Sequence, residues 1–533
     1  MKHIIQLAVV AFCAASAANA ATQSELLKEQ LAEDLTNTVF QGGIDERPFW
    51  NQNATMFMYA PAFDFKEFKY VKKYTFRILT SEGRLITFKA DSPKTSLAAV
   101  WDKIPVGWTS VECSCSAAYH KVAGTRLFWK SAPFTPGKYP KAAMGYDEAV
   151  ARGYMYLSNH RFARSVLEDG KPDFSLYHSC YPSKMYASLI SAMVDYSTFD
   201  NSKSGEALDV AKAAADWLIS CSEKKGAPLE YWPPTYMGNN AAAKHNRGKI
   251  MLIYPAEVAC AYVKLYERTK IGKYLEAAEN IAATFLNLQD EEGVWPLILK
   301  TEDGKPTCNN KVLPINGTIQ MFDALYAATK KEIYRTASDK GLKFMENGPL
   351  KTWKWEGQFE DIGPSSGYNN LTKHSACSMA IYLLNRYPGD KMRIRQAREL
   401  LRFAEDQFVC WETPYKGMGP ESYLSDEGYE NGIEKWRMPS VFEQYSWYVP
   451  IDASAAKLIR TYLALYRAEG KILDLEKAKA LADSITRSMN RQTNAIPTHW
   501  TAVNEKPHHQ WWNCHAASVA ALRELYNTLE KAK

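Results

Sequence analysis

One segment of the sequence, WKWEGQFEDIGPSSGYNNLTKHSA, gathers side chains that can move protons. It joins the adjacent acids Glu360 and Asp361 to Tyr368, Asn369 and His374. Carboxyl and imidazole groups act as general acids and bases when their surroundings tune their pKa values. The segment therefore predicts catalytic roles for Glu360, Asp361 and His374, with Tyr368 and Asn369 binding a ligand beside them.

A second segment, RMPSVFEQYSWYVPIDASAAKLI, has a similar composition and also directly precedes a predicted helix. It carries Arg437, Glu443, Trp447, Tyr448 and Asp452. Glu443 and Asp452 are candidate catalytic acids, Tyr448 is a candidate proton donor, and Arg437 and Trp447 are candidate ligand contacts. Because Asp452 stands where the helix begins, capping of the helix is the alternative reason for its carboxylate. We therefore rank Glu443 above Asp452.

Helical periodicity begins near residue 145 and determines where these two segments lie. From there, apolar residues recur at helical spacing in segments separated by loops rich in Trp, Pro, Gly and Asn. Twelve helices are predicted, beginning near Asp147, Tyr181, Gly205, Tyr254, Gly272, Gly317, Lys330, Asn370, Met392, Asp452, Leu473 and Asn513. Twelve helices in succession predict six hairpins, with both polar segments before even-numbered helices.

The loops that follow the third, fifth, seventh, ninth and eleventh helices are similar to one another. They read EYWPPTYMG, GVWPLILKTEDG, TWKWEGQFEDIG, CWETPYKGMG and AIPTHW. Each of these loops leads from an odd-numbered helix to an even-numbered one. If the helices form a closed ring, all five loops lie at the same end of it, around the N-termini of the even helices. Aromatic faces at that end can stack on a ligand, so Trp232, Trp295 and Trp511 are candidate binding residues.

The hairpin YPAEVACAYVKLYERTKIGKYLEAAENIAATFLNLQDEEGVWP has two apolar helix faces joined by a turn. It resembles the hairpins of the six-hairpin glycosidase superfamily, and the resemblance covers about residues 145–533. That superfamily includes unsaturated glucuronyl hydrolases, other glycoside hydrolases, polysaccharide lyases and sugar epimerases. The resemblance implies an (α/α)6 toroid with a glycan site at its tryptophan-rich mouth. Tyr254, Asn513 and His515 are further candidate glycan contacts there.

Three functions remain open for such a mouth. Two carboxyl groups that flank a glycosidic bond make a hydrolase, and we expect an exo-acting, glucuronidase-like enzyme. A base, an amide and a phenol are the groups of a uronate lyase, and the candidates are His374, Asn369 or Asn370, and Tyr368 or Tyr448. An aromatic rim without a working acid pair makes a non-catalytic glycan-binding protein. Lys373 and Arg437 near the acids favour a substrate that contains uronic acid.

A different pattern precedes the helices. Between about residues 49 and 140, short runs such as YTFRIL, LITFKA and RLFWKSAPF alternate with turns. About seven such runs predict a β-sandwich that resembles a fibronectin type III or immunoglobulin domain. The predicted organisation is a signal peptide at 1–20, a leader and β-sandwich at 21–140, and a catalytic toroid at 141–533. The expected fold is thus an all-α toroid preceded by a small β domain.

The first twenty residues, MKHIIQLAVVAFCAASAANA, have the charged start, apolar stretch and small-residue end of a secretory signal. They predict cleavage after Ala20 and a periplasmic or secreted protein. Lys plus Arg exceeds Asp plus Glu by only 65 − 59 = 6, so nucleic acid is not an expected partner. We expect no membrane insertion, because no other segment is long and apolar enough. No spacing of Cys or His predicts a metal or a cofactor.

Overall fold

The computed structural model describes residues 22–36, 49–50, 52–116, 120–307, 315–356, 368–412, 439–445, 447–498 and 511–532. The chain is mostly helical, with a small sheet near its N-terminus. A helix over residues 22–36 comes first, seven short strands follow, and long helices occupy the rest. The predicted signal peptide at 1–20 lies outside the described residues. None of the helices in the described ranges is long and apolar enough to span a membrane.

Twelve helices of fourteen or more residues form the main body. They are α1 (Tyr146–Asn159), α2 (Pro182–Phe199), α3 (Ser204–Cys221), α4 (Ile253–Thr269), α5 (Gly272–Leu288), α6 (Asn316–Thr329), α7 (Glu332–Asn347), α8 (Lys373–Arg386), α9 (Lys391–Phe408), α10 (Asp452–Glu469), α11 (Ile472–Ser488) and α12 (Trp512–Ala532). The predicted helix starts are confirmed closely. The largest difference is at α8, which begins at Lys373 where the sequence predicted Asn370.

The even-numbered helices close into a ring. Each packs against the next even helix, in the order α2, α4, α6, α8, α10 and α12, and α12 packs back against α2. The odd helices lie outside: α3, α5, α7, α9 and α11 each pack on the even helix before them, and α1 packs on α12. Six hairpins therefore form the closed double ring that the sequence predicted. Because each loop from an odd to an even helix leads inwards, all six inner helices begin at the same end.

Hydrophobic patterning explains which helices lie inside. The outer helix α7 buries a single stripe, in which Tyr334, Ala337, Gly341 and Met345 recur three or four residues apart. The inner helix α2 buries residues on nearly every face. Gly341 also allows the close approach of α7 to α6, since a Cβ atom there would lie 2.6 Å from a methyl group of Ile319.

Seven strands form the N-terminal β region: β1 (Phe49–Trp50), β2 (Met56–Phe57), β3 (Ala62–Phe63), β4 (Tyr74–Leu79), β5 (Leu85–Ala90), β6 (Gly107–Ser116) and β7 (His120–Lys130). They form one five-stranded sheet of order β2-β7-β6-β4-β5 and a separate parallel pair of β1 and β3. In the sheet, Phe76 of β4 lies opposite Phe88 of β5 and Cys113 of β6.

The predicted β-sandwich is not confirmed. One face of the five-stranded sheet is buried, and Phe63, Phe65 and Trp101 cover it through ring contacts with Phe128 and Phe76. The other face carries exposed Leu79 and Leu127, without a second large sheet over it in the described residues. The number of strands was predicted correctly, but loops and a short 3-10 helix (Leu97–Lys103) take the place of the facing sheet.

A buried ionic cluster joins the N-terminal regions to the ring. Lys477 of α11 lies 2.7 Å from Asp34 of the first helix and 2.7 Å from Glu405 of α9. The hydroxyl of Tyr59 donates a hydrogen bond to Asp34 at 3.0 Å. Asp406 of α9 accepts hydrogen bonds from the backbone N–H groups that follow β2, at Met58 and Tyr59. Burial of these charges in mutual contact fixes the first helix and the β region on the outer surface of the ring.

Short strands tie the loops together at the end where the inner helices begin. β8 (Lys249–Met251), before α4, pairs antiparallel with β9 (Ile298–Lys300), before α6. β10 (Val409–Cys410), β11 (Ser440–Gln444) and β12 (Trp447–Pro450) form a three-stranded sheet between α9 and α10. This sheet positions the residues considered next.

Candidate functional site

Glu443 is held at this end of the ring by a buried lysine. Lys373, the first residue of α8, is fully buried, and its Nζ lies 2.8 Å from Oε2 of Glu443. The same ammonium donates a hydrogen bond to the Glu443 carbonyl oxygen at 2.8 Å. The hydroxyl of Ser454, in the first turn of α10, also donates to Oε2. β11, α8 and α10 thus converge on one carboxylate.

Local backbone structure explains this convergence. Thr372 caps α8, because its side chain accepts a hydrogen bond from the backbone N–H of His374. The Thr372 hydroxyl donates to the carbonyl oxygen of Glu443 at 3.0 Å, and its backbone forms a bridge with Gln444. The start of α8 and strand β11 therefore form one rigid unit that presents Glu443 and His374 together.

Electrostatics keep Glu443 ionised. Burial alone would raise the pKa of the carboxyl, but the charge of Lys373 and the hydrogen bonds from Lys373 and Ser454 outweigh it, with Lys184 adding to them, so the pKa lies below its usual value. No donor among the described residues reaches Oε1 of Glu443, whose side chain is 14% exposed. This oxygen is therefore available to a water molecule or a ligand.

His374 lies next to Lys373 and remains neutral. Its side chain is accessible to solvent, yet desolvation holds its pKa well below the ordinary value, and Lys457, Lys373 and Lys184 lower it further. His374 is thus exposed and yet surrounded by protein atoms at the end of the ring where the inner helices begin, and we call this region the cavity. A neutral imidazole in such a cavity can accept a proton from a ligand.

Lys457 reaches the same cavity from the second turn of α10. Its Nζ donates a hydrogen bond to the hydroxyl of Ser378, on α8, at 3.0 Å. Desolvation, with Arg460 and Lys373 acting in the same direction, lowers the pKa of Lys457 to about 8, although Cys377 and Glu257 oppose the shift. No carboxylate in the described part of the chain forms an ion pair with this ammonium.

Two further inner helices contribute charges. Lys184, in the first turn of α2, acts on both His374 and Glu443, and its Nζ lies 4.6 Å from the ring centre of Trp511. Glu257, in the second turn of α4, is accessible and acts on Lys457. Side chains from α2, α4, α8 and α10 therefore face one another across the ring, at the end where their helices begin.

The cavity is rich in cations. Three lysines, Lys184, Lys373 and Lys457, stand against two carboxylates, Glu257 and Glu443, in the described residues. The N-termini of the inner helices add partial positive charge at the same end. Such a site favours an anionic ligand. In the described ranges, no three His, Cys, Asp or Glu side chains come together to hold a metal ion.

Two tryptophans proposed as glycan contacts pack in the core instead. Trp232 and Trp295 are fully buried. The indole N–H of Trp232 donates to the carbonyl oxygen of Ile281, and that of Trp295 donates to the carbonyl oxygen of Phe285 at 2.8 Å. With their polar atoms satisfied and their faces covered, these loop tryptophans fill the space between hairpins and leave no ring face for a sugar.

Two other candidates face away from the cavity. Asp452, the first residue of α10, is fully buried and accepts a hydrogen bond from Ser488 of the outer helix α11. His515 is buried, with Nδ1 accepting the backbone N–H of Ile496 at 2.9 Å and Nε2 lying 3.2 Å from the Gly153 carbonyl oxygen. Burial lowers the pKa of His515 to about 3. Both side chains are therefore positioned to stabilise the fold.

The remaining candidates lie near the start of the inner helices or outside the described residues. Trp511 is half-buried beside Tyr181, Tyr254 is buried in the first turn of α4, and Asn513 is half-buried. Tyr368 donates to the carbonyl oxygen of Thr352, and Asn369 is exposed. Outside the description are Glu360, Asp361 and Arg437, and the side chains of Trp447 and Tyr448. Their roles stay predictions.

Sequence reasoning missed Lys184, Lys457 and Ser454. A signal was present for Lys457, which interrupts the otherwise small or apolar stretch ASAAKLI of an inner helix. A lysine at a position that the fold turns inwards has to find an anion or a cavity. The first two turns of each inner helix are thus the place to search for functional cations.

No family model matches the chain, and no curated protein matches it. Among solved structures, the chain is similar to a family 76 glycoside hydrolase from a bovine Bacteroides thetaiotaomicron strain, at 10% identity and a TM-score of 0.48, over 86% of this chain and 93% of that one. It is similar to cellobiose 2-epimerase from Spirochaeta thermophila at 12% identity and a TM-score of 0.49, over 73% and 98% of the two chains.

A third similar structure is an unsaturated glucuronyl hydrolase specific for heparin, at 10% identity and a TM-score of 0.45, over 72% of this chain and 98% of that one. These likenesses concern the course of the chain, and nothing about the reaction follows from them. The six-hairpin (α/α)6 fold inferred from the sequence rests on the closed ring of helices itself.

Proposed function

We propose that this protein is a carbohydrate-active enzyme whose substrate is a glycan that contains uronic acid. The observation that carries the proposal is the cavity where the inner helices begin. It combines an ionised Glu443, a neutral His374 and a surplus of lysines. The lysines match the carboxylate of a uronic acid, and the two reactive groups match the proton transfers that cleavage of a glycan requires.

Hydrolysis is the first reaction we propose, with a glucuronidase-like release of uronic acid. Glu443 is already ionised and has one oxygen without a donor in the described residues, as attack on a sugar or activation of water requires. The second carboxyl group is Glu257, which is accessible in the cavity, or one of the adjacent acids Glu360 and Asp361. The expected location of this enzyme is the periplasm or the cell exterior, as the first twenty residues predict.

Elimination is the second candidate, and the state of His374 favours it. A uronate lyase needs a neutral base close to cations that neutralise the substrate carboxylate. His374 has a lowered pKa and lies among Lys457, Lys373 and Lys184. In this reaction the imidazole removes the proton next to the carboxylate, and the lysines stabilise the negative charge that develops.

Incubation of the mature protein with uronide oligosaccharides separates these reactions. Hydrolysis releases a saturated uronic acid and creates a new reducing end, whereas elimination creates a conjugated double bond that absorbs ultraviolet light. Binding without any covalent change would identify a glycan-binding protein and refute the enzymatic proposal. A preference for neutral glycans of the same length would refute the proposed substrate class.

A further inference from the structure

The ammonium of Lys457 differs from other cations of the inner helices. Lys373 is paired with Glu443 at 2.8 Å, Lys264 with Asp195 at 2.7 Å. Lys457 is the exception among these three, because within the described residues its ammonium donates only to the neutral hydroxyl of Ser378, at 3.0 Å.

The surroundings of Lys457 make its charge costly. Burial, Arg460 and Lys373 all disfavour the protonated amine, whereas Cys377 and Glu257 favour it. His374, which also feels the charge of Lys457, is neutral and offers no compensation. An ammonium with no carboxylate against it in a desolvated cavity gains stabilisation when a ligand brings an anion.

The position of Lys457 points to the kind of anion. It lies on α10 and contacts α8, so its ammonium stands beside His374 and the pair of Lys373 and Glu443. A ligand anion bound by Lys457 would therefore lie close to the atoms on which His374 or Glu443 acts. The anion and those atoms belong to one sugar residue or to two adjacent ones. The Ser378 hydroxyl can donate a hydrogen bond to that anion while Lys457 supplies the charge.

We propose that Lys457 and Ser378 form the subsite that binds the carboxylate of a uronic-acid residue and selects charged over neutral glycans. This inference rests on the proposed function, whose substrate class it explains. Lys457 is a specificity-determining residue in this assignment. Lys373 is not available for the same task, because Glu443 already occupies its ammonium with two hydrogen bonds.

The experiment compares binding of a glucuronate oligosaccharide and its carboxyl-reduced, neutral counterpart by calorimetry. In Lys457→Met, affinity for the charged glycan should fall by about 30-fold or more, as when one partner of a buried charge pair is removed. Affinity for the neutral glycan should remain within about twofold of wild type. The matched control is Lys264→Met, which removes an inner-helix lysine from the opposite end of α4 and should keep the wild-type preference.

A second variant keeps the test valid if Lys457→Met folds poorly. Lys457→Arg retains the charge at high pH. Wild-type affinity for the charged glycan should therefore decline above about pH 8, where the ammonium of Lys457 loses its proton, whereas Lys457→Arg should show no decline there. Loss of this difference between arginine and lysine would count against the assignment.

The outcomes separate this inference from the proposed function. If Lys457→Met turns over uronides and still prefers charged to neutral glycans as wild type does, the inference about Lys457 is wrong and the proposed function stands. If wild type binds charged glycans without turnover and Lys457→Met loses this binding, the proposed enzymatic function is wrong and the subsite is supported. Wild-type protein that binds neither glycan overturns both.

Discussion

The two ends of the helical ring differ in how their charged side chains are compensated. Where the inner helices finish, cations and carboxylates of neighbouring helices pair with each other: Arg523 and Lys264 with Asp195, and Arg386 with Asp323. Where the inner helices begin, Lys373 is paired with Glu443, whereas Lys457 has no carboxylate at ion-pair distance among the described residues. At one end the cations are compensated, and at the other the ammonium of Lys457 is not compensated by a carboxylate of the described residues.

This difference separates residues that stabilise the ring from residues that we propose to bind a ligand. Ion pairs between adjacent inner helices hold the ring together, and their partners fix each other's geometry. Lys457, which forms no ion pair within the described residues, adds nothing to that stability, and its burial lowers its own pKa. Such residues are therefore best explained by what they bind. The following variants test whether charged residues at one end of the ring affect activity and those at the other end affect only stability.

The largest effect is expected from Glu443→Gln. Removal of this carboxylate leaves the fully buried Lys373 without its counter-charge, so the free energy of unfolding should fall by about 3 kcal/mol. Turnover should fall about a thousandfold, because an amide cannot serve as base or nucleophile. Chemical denaturation and steady-state kinetics measure the two effects.

The double variant Lys373→Met with Glu443→Gln separates the two roles. Replacement of both charges by groups of similar volume should restore most of the lost stability, since no buried charge is then left unpaired. Activity should stay lost. If the double variant regained wild-type turnover, Glu443 would be a structural residue and the site would need another carboxylate.

The next largest effect is expected from His374→Gln, which should reduce turnover by about a hundredfold or more and change stability by less than about 0.5 kcal/mol. Because the pKa of His374 lies well below its usual value, the imidazole stays neutral at pH 6. The wild-type rate should therefore persist below pH 6 and decline only in more acidic solution. A decline centred near pH 6.5 would show that His374 is not desolvated, and an unchanged rate in the variant would remove it from the mechanism.

The sequence predicted the ring well because its information is local and repeated. Helix starts follow from apolar spacing and turn residues, and these signals recur in each hairpin. The β-sandwich could not be predicted correctly, because alternation in YTFRIL shows that one face of β4 is buried but not what covers it. That cover comes from Phe65, which precedes β4 and contacts Phe76, and from Trp101 of the 3-10 helix, which follows β5 and contacts Phe128.

The site was harder to predict than the fold. Composition singled out Glu443 and His374 as reactive groups at one end of the ring, and the structure brings them into one cavity. Composition could not show which way a side chain points, so Trp232 and His515, now buried, were expected at the rim. It also could not show which lysines are paired, since the ion pair of Lys373 with Glu443 spans 70 residues.

A smaller effect, confined to stability, is expected at the closed end. Arg386 is buried and donates hydrogen bonds to Asp323, Tyr382, Ser338 and the outer-helix residue Asp339. Arg386→Met leaves Asp323 without this partner, so the free energy of unfolding should fall by about 3 kcal/mol. Turnover and KM, measured at a temperature where the variant is folded, should remain within about twofold of wild type. A large loss of activity in folded protein would contradict the division between the two ends.

The smallest effect is expected at Asp406, whose carboxylate is compensated by the backbone N–H groups of Met58 and Tyr59. Burial raises the pKa of Asp406 to about 7, although those hydrogen bonds oppose the shift. The folded state therefore binds more protons than the unfolded state between about pH 4 and 7, so this residue lowers stability as the pH rises through that window. Asp406→Asn keeps an acceptor for both N–H groups and should remove this dependence, so the variant should gain stability relative to wild type between pH 5 and pH 8. Denaturant unfolding at pH 5 and pH 8 measures the difference in the free energy of unfolding. If this free energy changed with pH in the same way in both proteins, Asp406 would not be a titrating group at the contact between the β region and the ring.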